Sequence, residues 1–261
     1  MEQTGYYCFT VDDNVRFLSE LSEKNYKSIF DHPYLRVYKR LHEKFGTKVQ
    51  LNLFYEAGDF NLTHMTERYI EQWRQNSDWL KLSFHSRLEN EKPYESASYR
   101  EVYDDCLKVN REIVRFASDE ALAKTTTVHY CKLTNGGITA LSDLGVTGLL
   151  GLYGTKSEPF TSYQSVESEC EKLRQGAILC KDGIAYAAID LILNKLPLSE
   201  IDGAVSELIP RPVIKLMIHE QYFYPDYPRY QSDFENKLTC ALKILDAHGY
   251  ESKFFEEVIH F

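Results

Sequence analysis

Acidic and imidazole side chains follow four short apolar segments of this 261-residue sequence. The pairs at these positions are Asp12-Asp13, His85-Ser86, His129-Tyr130 and His219-Glu220. Carboxylates and imidazoles hold divalent cations in proteins, and they transfer protons near neutral pH. One site built from all four pairs would have the residue types that metal-dependent hydrolysis needs.

The apolar segments read as strands that alternate with helices. Strands are predicted over residues 5–11, 48–55, 80–84, 125–130, 148–153 and 212–220, with a weaker signal over 252–255, while residues 184–193 form a less certain segment. Helices are predicted near 15–21, 33–45, 66–76, 98–116, 165–174, 198–208 and 232–248, with a short one ending at Gly145. This alternation implies parallel strand pairing with right-handed crossovers, hence one α/β domain over residues 1–261. In parallel α/β barrels, functional residues lie at the carboxyl ends of the strands, where all four pairs fall.

Each pair also has a purely structural interpretation. Asp12 and Asp13 could cap the helix predicted after them, because Asp is favoured at helix N-caps. A single His at a strand end is more often a satisfied structural side chain than a ligand. Two adjacent carboxylates that point into one barrel mouth, however, repel each other unless a cation compensates. The four pairs together therefore favour a divalent cation site over capping.

Local signals place several helix ends. Pro33 stands at a predicted first helical turn and Gly46 at the end of the same helix. Ser98-x-x-Glu101 and Ser232-x-x-Glu235 have the spacing of capping boxes.

Composition narrows the class of protein. The formal net charge is −9, which disfavours nucleic acid as a partner. The first residues, MEQTGYYCFTVDDN, carry acids where a signal peptide needs basic residues, and apolar runs are too short for membrane insertion. We therefore expect a cytoplasmic protein. The six cysteines form no CxxC pair and are interpreted as small buried apolar residues.

The four pairs and their flanking residues resemble the motif set of the polysaccharide deacetylase family. Phe9-Thr10-Val11-Asp12-Asp13-Asn14 is similar to the family's T-F-D-D-G, and Ser83-Phe84-His85-Ser86 to the start of its H-S-x-x-H. Leu216-Met217-Ile218-His219 is similar to its late L-x-x-H strand. The resemblance implies a single irregular (β/α) barrel of about seven strands. It also implies that Asp12 is the catalytic base, Asp13 and His85 are metal ligands, and His219 is the general acid.

Two positions depart from the family pattern. Glu89 stands where the family has the second His of H-S-x-x-H, and Thr127-Val128-His129-Tyr130 stands where it has R-P-P-Y. The Arg that orients the base in the family is therefore missing. Some barrel deacetylases of small chito-oligosaccharides take a third ligand from a later strand, so His129 is the preferred third ligand here and Glu89 the alternative.

The resemblance implies a metal-dependent carbohydrate deacetylase that hydrolyses an N-acetyl amide, with zinc as the preferred divalent cation. The expected substrate is a small carbohydrate or glycan precursor, and the oligomeric state is left open. The backbone N–H of Tyr130 would share the oxyanion with the metal, and Tyr94, Tyr222, Phe223 and Tyr224 would stack on sugar rings or simply pack. Two alternatives remain: hydrolysis of another carbohydrate bond, and a non-catalytic carbohydrate-binding or scaffold descendant of a deacetylase.

Overall fold

The computed structural model describes residues 5–89, 94–154 and 161–259. The strands are β1 (Gly5–Asn14), β2 (Val49–Phe54), β3 (Glu56–Ala57), β4 (Phe60–Asn61), β5 (Leu80–Ser86), β6 (Thr125–Thr126), β7 (Gly148–Gly151), β8 (Leu179–Lys181), β9 (Ile184–Ala188), β10 (Leu191–Ile192), β11 (Val213–His219) and β12 (Tyr250–Ser252). The α-helices are α1 (Arg16–Glu23), α2 (Pro33–Phe45), α3 (Ile70–Gln75), α4 (Tyr99–Ala117), α5 (Asn135–Asp143), α6 (Glu167–Arg174), α7 (Leu198–Ser206) and α8 (Phe234–Ala247).

Parallel pairing joins most strands into an irregular ring. One sheet runs β10–β11–β1–β2–β5, and a second runs β6–β7–β9–β8. An isolated parallel bridge pairs Leu82 of β5 with Leu122, which shortly precedes β6 in the chain. On the other side, residues 184–192 pair with β7 through β9 and with β11 through β10. This arrangement confirms the predicted α/β fold and its irregular, barrel-like form.

Polar side chains are buried inside the ring near the carboxyl ends of β1 and β2. Consecutive residues of a strand point to opposite faces, so Thr10 and Asp12 share one face of β1, and Gln50 and Asn52 share one face of β2. These side chains are buried. A separate apolar cluster packs beside these polar groups and contains the following residues: Cys8, Leu150, Ala185, Ala187, Val213 and Met217. The polar groups are therefore concentrated where the site is expected.

A buried ion pair lies at the junction between β10 and β11. The Nζ of Lys215 is 2.9 Å from Asp190 Oδ2, and Arg211 contacts the other oxygen of the same carboxylate. Lys215 and Asp190 are both almost fully buried. Because an isolated buried charge is costly, Asp190 and Lys215 need each other. Their ion pair holds the segment before β10 against β11.

Most predicted elements are present, with differences at the irregular positions. The helix over Pro33–Phe45 has Pro33 at its first turn and Gly46 in the left-handed region at φ 65°, as predicted. The Ser98–Glu101 capping box is confirmed. The Ser232–Glu235 box is wrong, because α8 has Asp233 at its N-cap and no side-chain cap hydrogen bond.

The predicted strand over 125–130 is wrong beyond its second residue. Only Thr125–Thr126 pairs as a strand. Tyr130 and Cys131 have φ of 57° and 53°, which is incompatible with extended backbone. The final strand is likewise shifted, lying at Tyr250–Ser252 and not over 252–255.

The N-terminus of α1 is capped by Glu220, which lies in the 3-10 turn directly after β11 and is distant in sequence. The carboxylate of Glu220 accepts hydrogen bonds from the backbone N–H groups of Val15 at 2.7 Å, Arg16 at 3.0 Å and Phe17 at 2.7 Å. Neither Asp12 nor Asp13 caps this helix, so the capping interpretation of that pair is wrong. A carboxylate at this end of a helix also interacts favourably with the helix dipole.

We predict that Glu220→Gln lowers the free energy of unfolding by about 1–3 kcal/mol, because an amide cannot accept from all of these buried donors. Urea unfolding followed by circular dichroism measures the change. Glu235→Gln is the control, since Glu235 forms an exposed pair with Arg40 and should change stability by less than about 0.5 kcal/mol. Equal stability of the two variants would show that the Glu220 cap contributes nothing.

Candidate active site

An irregularity at the end of β1 brings two adjacent carboxylates to the same cavity. Asp13 has φ 62°, and the pairing of β1 with β2 shifts register between Val11 and Asn14. In a regular strand the side chains of Asp12 and Asp13 would point to opposite faces. The bulge turns the chain, so both residues line one cavity.

The side chain of Asn14 holds this bulge. Its Nδ2 donates to the carbonyl of Val11 at 2.6 Å and to that of Asn52 at 3.2 Å. Its Oδ1 accepts from the hydroxyl of Tyr34 at 2.6 Å. The position of Asp13 is thus fixed by hydrogen bonds that connect β1, β2 and α2.

Three potential ligand atoms converge at the bulge. Asp13 Oδ1 lies 3.0 Å from His85 Nε2 and 3.3 Å from His129 Nδ1, and the two ring nitrogens are 3.1 Å apart. Ligands of a tetrahedral zinc ion, with bonds of about 2.0–2.1 Å, would be about 3.3–3.4 Å apart. The spacing therefore suits a divalent cation bound by one carboxylate and two imidazoles.

Hydrogen bonds on the far side of each ring fix the histidine tautomers. His85 Nδ1 contacts the carbonyl of Thr127, and His129 Nε2 is 2.6 Å from the carbonyl of Glu89. Because a carbonyl only accepts, each of these nitrogens carries a proton. The lone pairs of His85 Nε2 and His129 Nδ1 consequently face Asp13, as in histidine metal ligands.

The electrostatics of this cluster require a positive charge. Two imidazole lone pairs and a carboxylate oxygen repel one another unless a proton or a cation lies between them. Burial raises the pKa of Asp13, but contacts with His129 and His85 outweigh burial when these rings carry a second proton, and they hold that pKa well below its usual range. Burial lowers the pKa of His85, yet the neighbouring Asp12 and Asp13 carboxylates raise it overall. The donor set therefore fits a divalent metal ion.

Glu89 lies beside the cluster, but its side chain is not part of it. Its backbone carbonyl holds His129, and its carboxyl is outside the group of converging ligand atoms. Burial and the nearby Asp13 raise the pKa of the Glu89 carboxyl. Of the two candidates for third ligand, the geometry favours His129.

Asp12 lies next to the three ligands and is held by a chain of neutral groups. Asn52 Nδ2 donates to Asp12 Oδ1 at 2.6 Å, and Gln50 Nε2 donates to Asn52 Oδ1 at 2.8 Å. Thr125 completes the chain by donating from its hydroxyl to Gln50 Oε1. Burial raises the pKa of Asp12.

His219 is the direct neighbour of Asp12 in the pairing of β1 with β11. Its Nδ1 lies 2.9 Å from Asn194 Oδ1, so Nδ1 carries the proton and donates it to that oxygen. Burial lowers the pKa of His219 against the opposing effect of Asp13 and Asp12. Asp12 and His219 thus lie side by side at the mouth of the ring.

Only some of the aromatic residues predicted to contact sugar line a cavity at the site. A cavity of about 310 Å³ contains the site and is lined by Tyr130. A second cavity of about 430 Å³ adjoins it at Asp13 and is lined by Tyr224. Tyr94 is buried against Phe84, its hydroxyl donates to Asp105, and it lines neither cavity. Tyr222 packs on Tyr227 and lines neither cavity.

Four polar residues of the site were missed in the sequence: Gln50, Asn52, Asn194 and Gln221. Gln50 and Asn52 have a sequence signal, because they are polar residues two apart in the otherwise apolar segment VQLNLF. Asn194 and Gln221 have none, since their roles depend on partners distant in sequence.

Comparison with known proteins supports the fold. The chain is similar to the polysaccharide deacetylase Bc1974 from Bacillus cereus, with 13% identity, TM-score 0.53, and coverage of 98% of this chain and 95% of that one. It is also similar to a CE4 family pseudoenzyme from Bacillus anthracis, with 11% identity, TM-score 0.51, and coverage of 98% of this chain and 66% of that one. A 4-alpha-glucanotransferase from Thermococcus litoralis gives 14% identity and TM-score 0.64, with 98% of this chain and 40% of that one covered.

No protein-family model and no curated protein sequence matches the chain. The solved structures nevertheless confirm the predicted resemblance at the level of fold, which is that of the CE4 polysaccharide deacetylases in divergent form. Since a glucanotransferase has a similar fold, the chemistry must be argued from the site. Among the described residues, no helix has the length and apolar character to cross a membrane.

We predict that His129→Ala lowers the affinity for a divalent cation by more than the 10–100-fold typical of lost outer-shell contacts. Glu89→Gln should change it only a few-fold, because the variant keeps the backbone carbonyl that holds His129. Competition with a chromogenic chelator measures both affinities. The opposite ranking would make Glu89 the third ligand.

Proposed function

We propose that the protein is a metal-dependent carbohydrate deacetylase that hydrolyses an N-acetyl amide of a small, cytoplasmic sugar or glycan precursor. The observation that supports this most directly is the adjacency of a metal-type cluster, Asp13, His85 and His129, to a carboxylate and an imidazole, Asp12 and His219. A binding site for sugar alone has no use for this combination.

Asp13, His85 and His129 would hold the metal, with zinc as the preferred ion. When bound, a divalent cation of this kind polarises a carbonyl and lowers the pKa of water. Residues of the protein would carry out the proton transfers. The hydrogen bonds that fix the tautomers of both histidines also keep the ligand atoms in place before substrate binds.

Asp12 is proposed as the general base. Asn52 occupies its Oδ1, which leaves Oδ2 to take a proton from the attacking water. Because burial raises its pKa, this carboxylate is a stronger base than an exposed one. Asn52, supported by Gln50, thereby orients the base in place of the missing Arg.

His219 is proposed as the general acid. Its Nδ1–H is fixed by Asn194, so Nε2 is the atom that can give a proton to the departing nitrogen. The C–N bond of the amide then breaks, releasing acetate and an amine. The backbone N–H of Tyr130 is proposed to share the oxyanion, and Tyr130 and Tyr224 line the surfaces available to sugar rings.

A second candidate is a non-catalytic carbohydrate-binding descendant of a deacetylase. It is favoured by the absence of the base-orienting Arg and by Glu89 at the second motif His. One experiment separates the two functions: the purified protein is loaded with zinc and incubated with N-acetylglucosamine oligomers and with O-acetylated xylo-oligosaccharides. The deacetylase proposal expects acetate and free amine in equal amounts from the first substrate. A zinc-loaded protein that binds oligomers without releasing acetate would be the non-catalytic descendant.

We predict that Asp12→Asn lowers kcat by about 10²–10⁴-fold while leaving zinc content nearly unchanged, because the amide cannot accept a proton. Amine release and metal content are measured on the same samples. Asp13→Ala is the matched comparison, since it should lose both metal and activity. Full activity of Asp12→Asn would contradict the assignment of Asp12 as base.

We predict that His219→Gln also lowers kcat, because glutamine keeps hydrogen-bonding capacity but cannot supply the proton. The loss should shrink for acetanilides with electron-withdrawing ring substituents, whose nitrogen needs less protonation to leave. A His219→Gln enzyme with equal losses across such a substrate series would assign His219 a positioning role instead.

A further inference from the structure

Gln221 contacts the metal-type cluster on the side away from the histidines. It lies in the turn that directly follows β11. Its Nε2 donates to Asp13 Oδ2 at 2.7 Å. The two oxygens of Asp13 are thereby given different partners, since Oδ1 is the atom that faces His85 and His129.

The orientation of the Gln221 amide follows from its contact with Asp13. An amide oxygen turned toward a carboxylate would be repelled, so the NH₂ group faces Asp13. Gln221 Oε1 is consequently buried, and it accepts no hydrogen bond from the part of the chain that the structure describes. The Gln221 side chain also contacts Tyr227, and its amide nitrogen is directed at Asp13.

The preceding residue fixes the backbone that carries Gln221. Glu220 accepts from the N–H groups of Val15, Arg16 and Phe17, and these follow Asp13 closely in the chain. The turn after β11 and the bulge at Asp13 are therefore joined twice, once through the start of α1 and once through the Gln221 amide. A shift of Gln221 relative to Asp13 would break the cap of α1.

We propose that Gln221 is a positioning residue that restricts Asp13 to one coordinating oxygen. A carboxylate can bind a cation through one or both oxygens, and a strong donor on Oδ2 leaves Oδ1 alone to coordinate. The inference rests on the proposed metal site, and it assigns to Gln221 a function that neither the sequence motifs nor the fold resemblance supplies. Without this donor, Asp13 is free to rotate and to bind through both oxygens.

The test compares zinc affinity and the visible absorption spectrum of Co²⁺ in the unmodified 261-residue protein and in Gln221→Leu. We expect a loss of about 10–100-fold in zinc affinity, the size seen when outer-shell partners of metal ligands are removed. We also expect weaker cobalt absorption bands, because a second oxygen raises the coordination number. Gln221→Met provides a second variant if Gln221→Leu does not fold, and thermal unfolding of the metal-free proteins establishes that each variant is intact.

Gln75→Leu is the matched control, since Gln75 is an exposed glutamine on α3 that contacts Glu71. It should leave both measurements unchanged. Variants of Gln221 with wild-type affinity and a superimposable cobalt spectrum would overturn the inference while leaving the proposed function intact. A wild-type protein that binds neither cation would overturn both.

Discussion

Two neighbouring carboxylates that share one buried cavity set the constraint on which the rest of this site depends. A regular strand separates consecutive side chains by half a turn, so Asp12 and Asp13 can converge only where β1 is interrupted. The left-handed residue Asp13 provides that interruption, and Asn14 holds it. Asp is among the residues that adopt this conformation most readily, so one residue both turns the chain and supplies the ligand.

The negative charges of two buried carboxylates must be compensated, and Asp12 and Asp13 have different partners for this. Asp13 is compensated by two imidazoles that also define a cation site. Asp12 accepts a hydrogen bond from Asn52, which is in turn oriented by Gln50 and Thr125, and its other stabilising neighbours are the His85 and His219 rings. A neutral donor stabilises a carboxylate less than a guanidinium does, so the pKa of Asp12 stays raised by burial. If Asp12 is the base, as proposed, the amide network in place of the expected Arg would orient it while leaving it more basic.

The sequence was informative wherever a feature depends on local periodicity. Alternating strands and helices predicted the fold class, and the rule that carboxyl ends of parallel strands meet predicted that Asp13, His85 and His129 would be close. The polar pair Gln50 and Asn52 was accessible to the same period-two reasoning. Features that join distant residues were not: the Glu220 cap on α1 connects positions about two hundred residues apart. The truncated strand at Thr125–Thr126 was missed because Tyr130 and Cys131 adopt a conformation that their residue types do not favour.

The neighbours in fold include a deacetylase, a pseudoenzyme and a glucanotransferase, so the backbone alone does not select a chemistry. The hydrogen bonds behind the site residues distinguish better between a hydrolase and a protein that only binds sugar. A scaffold that only binds sugar needs neither a fixed tautomer on two histidines nor neutral partners behind a carboxylate and an imidazole. Each of these contacts lies in a buried region, where a polar group costs free energy unless it is paired. Their joint presence around Asp12, Asp13 and His219 is therefore the physical argument that supports the proposed hydrolase.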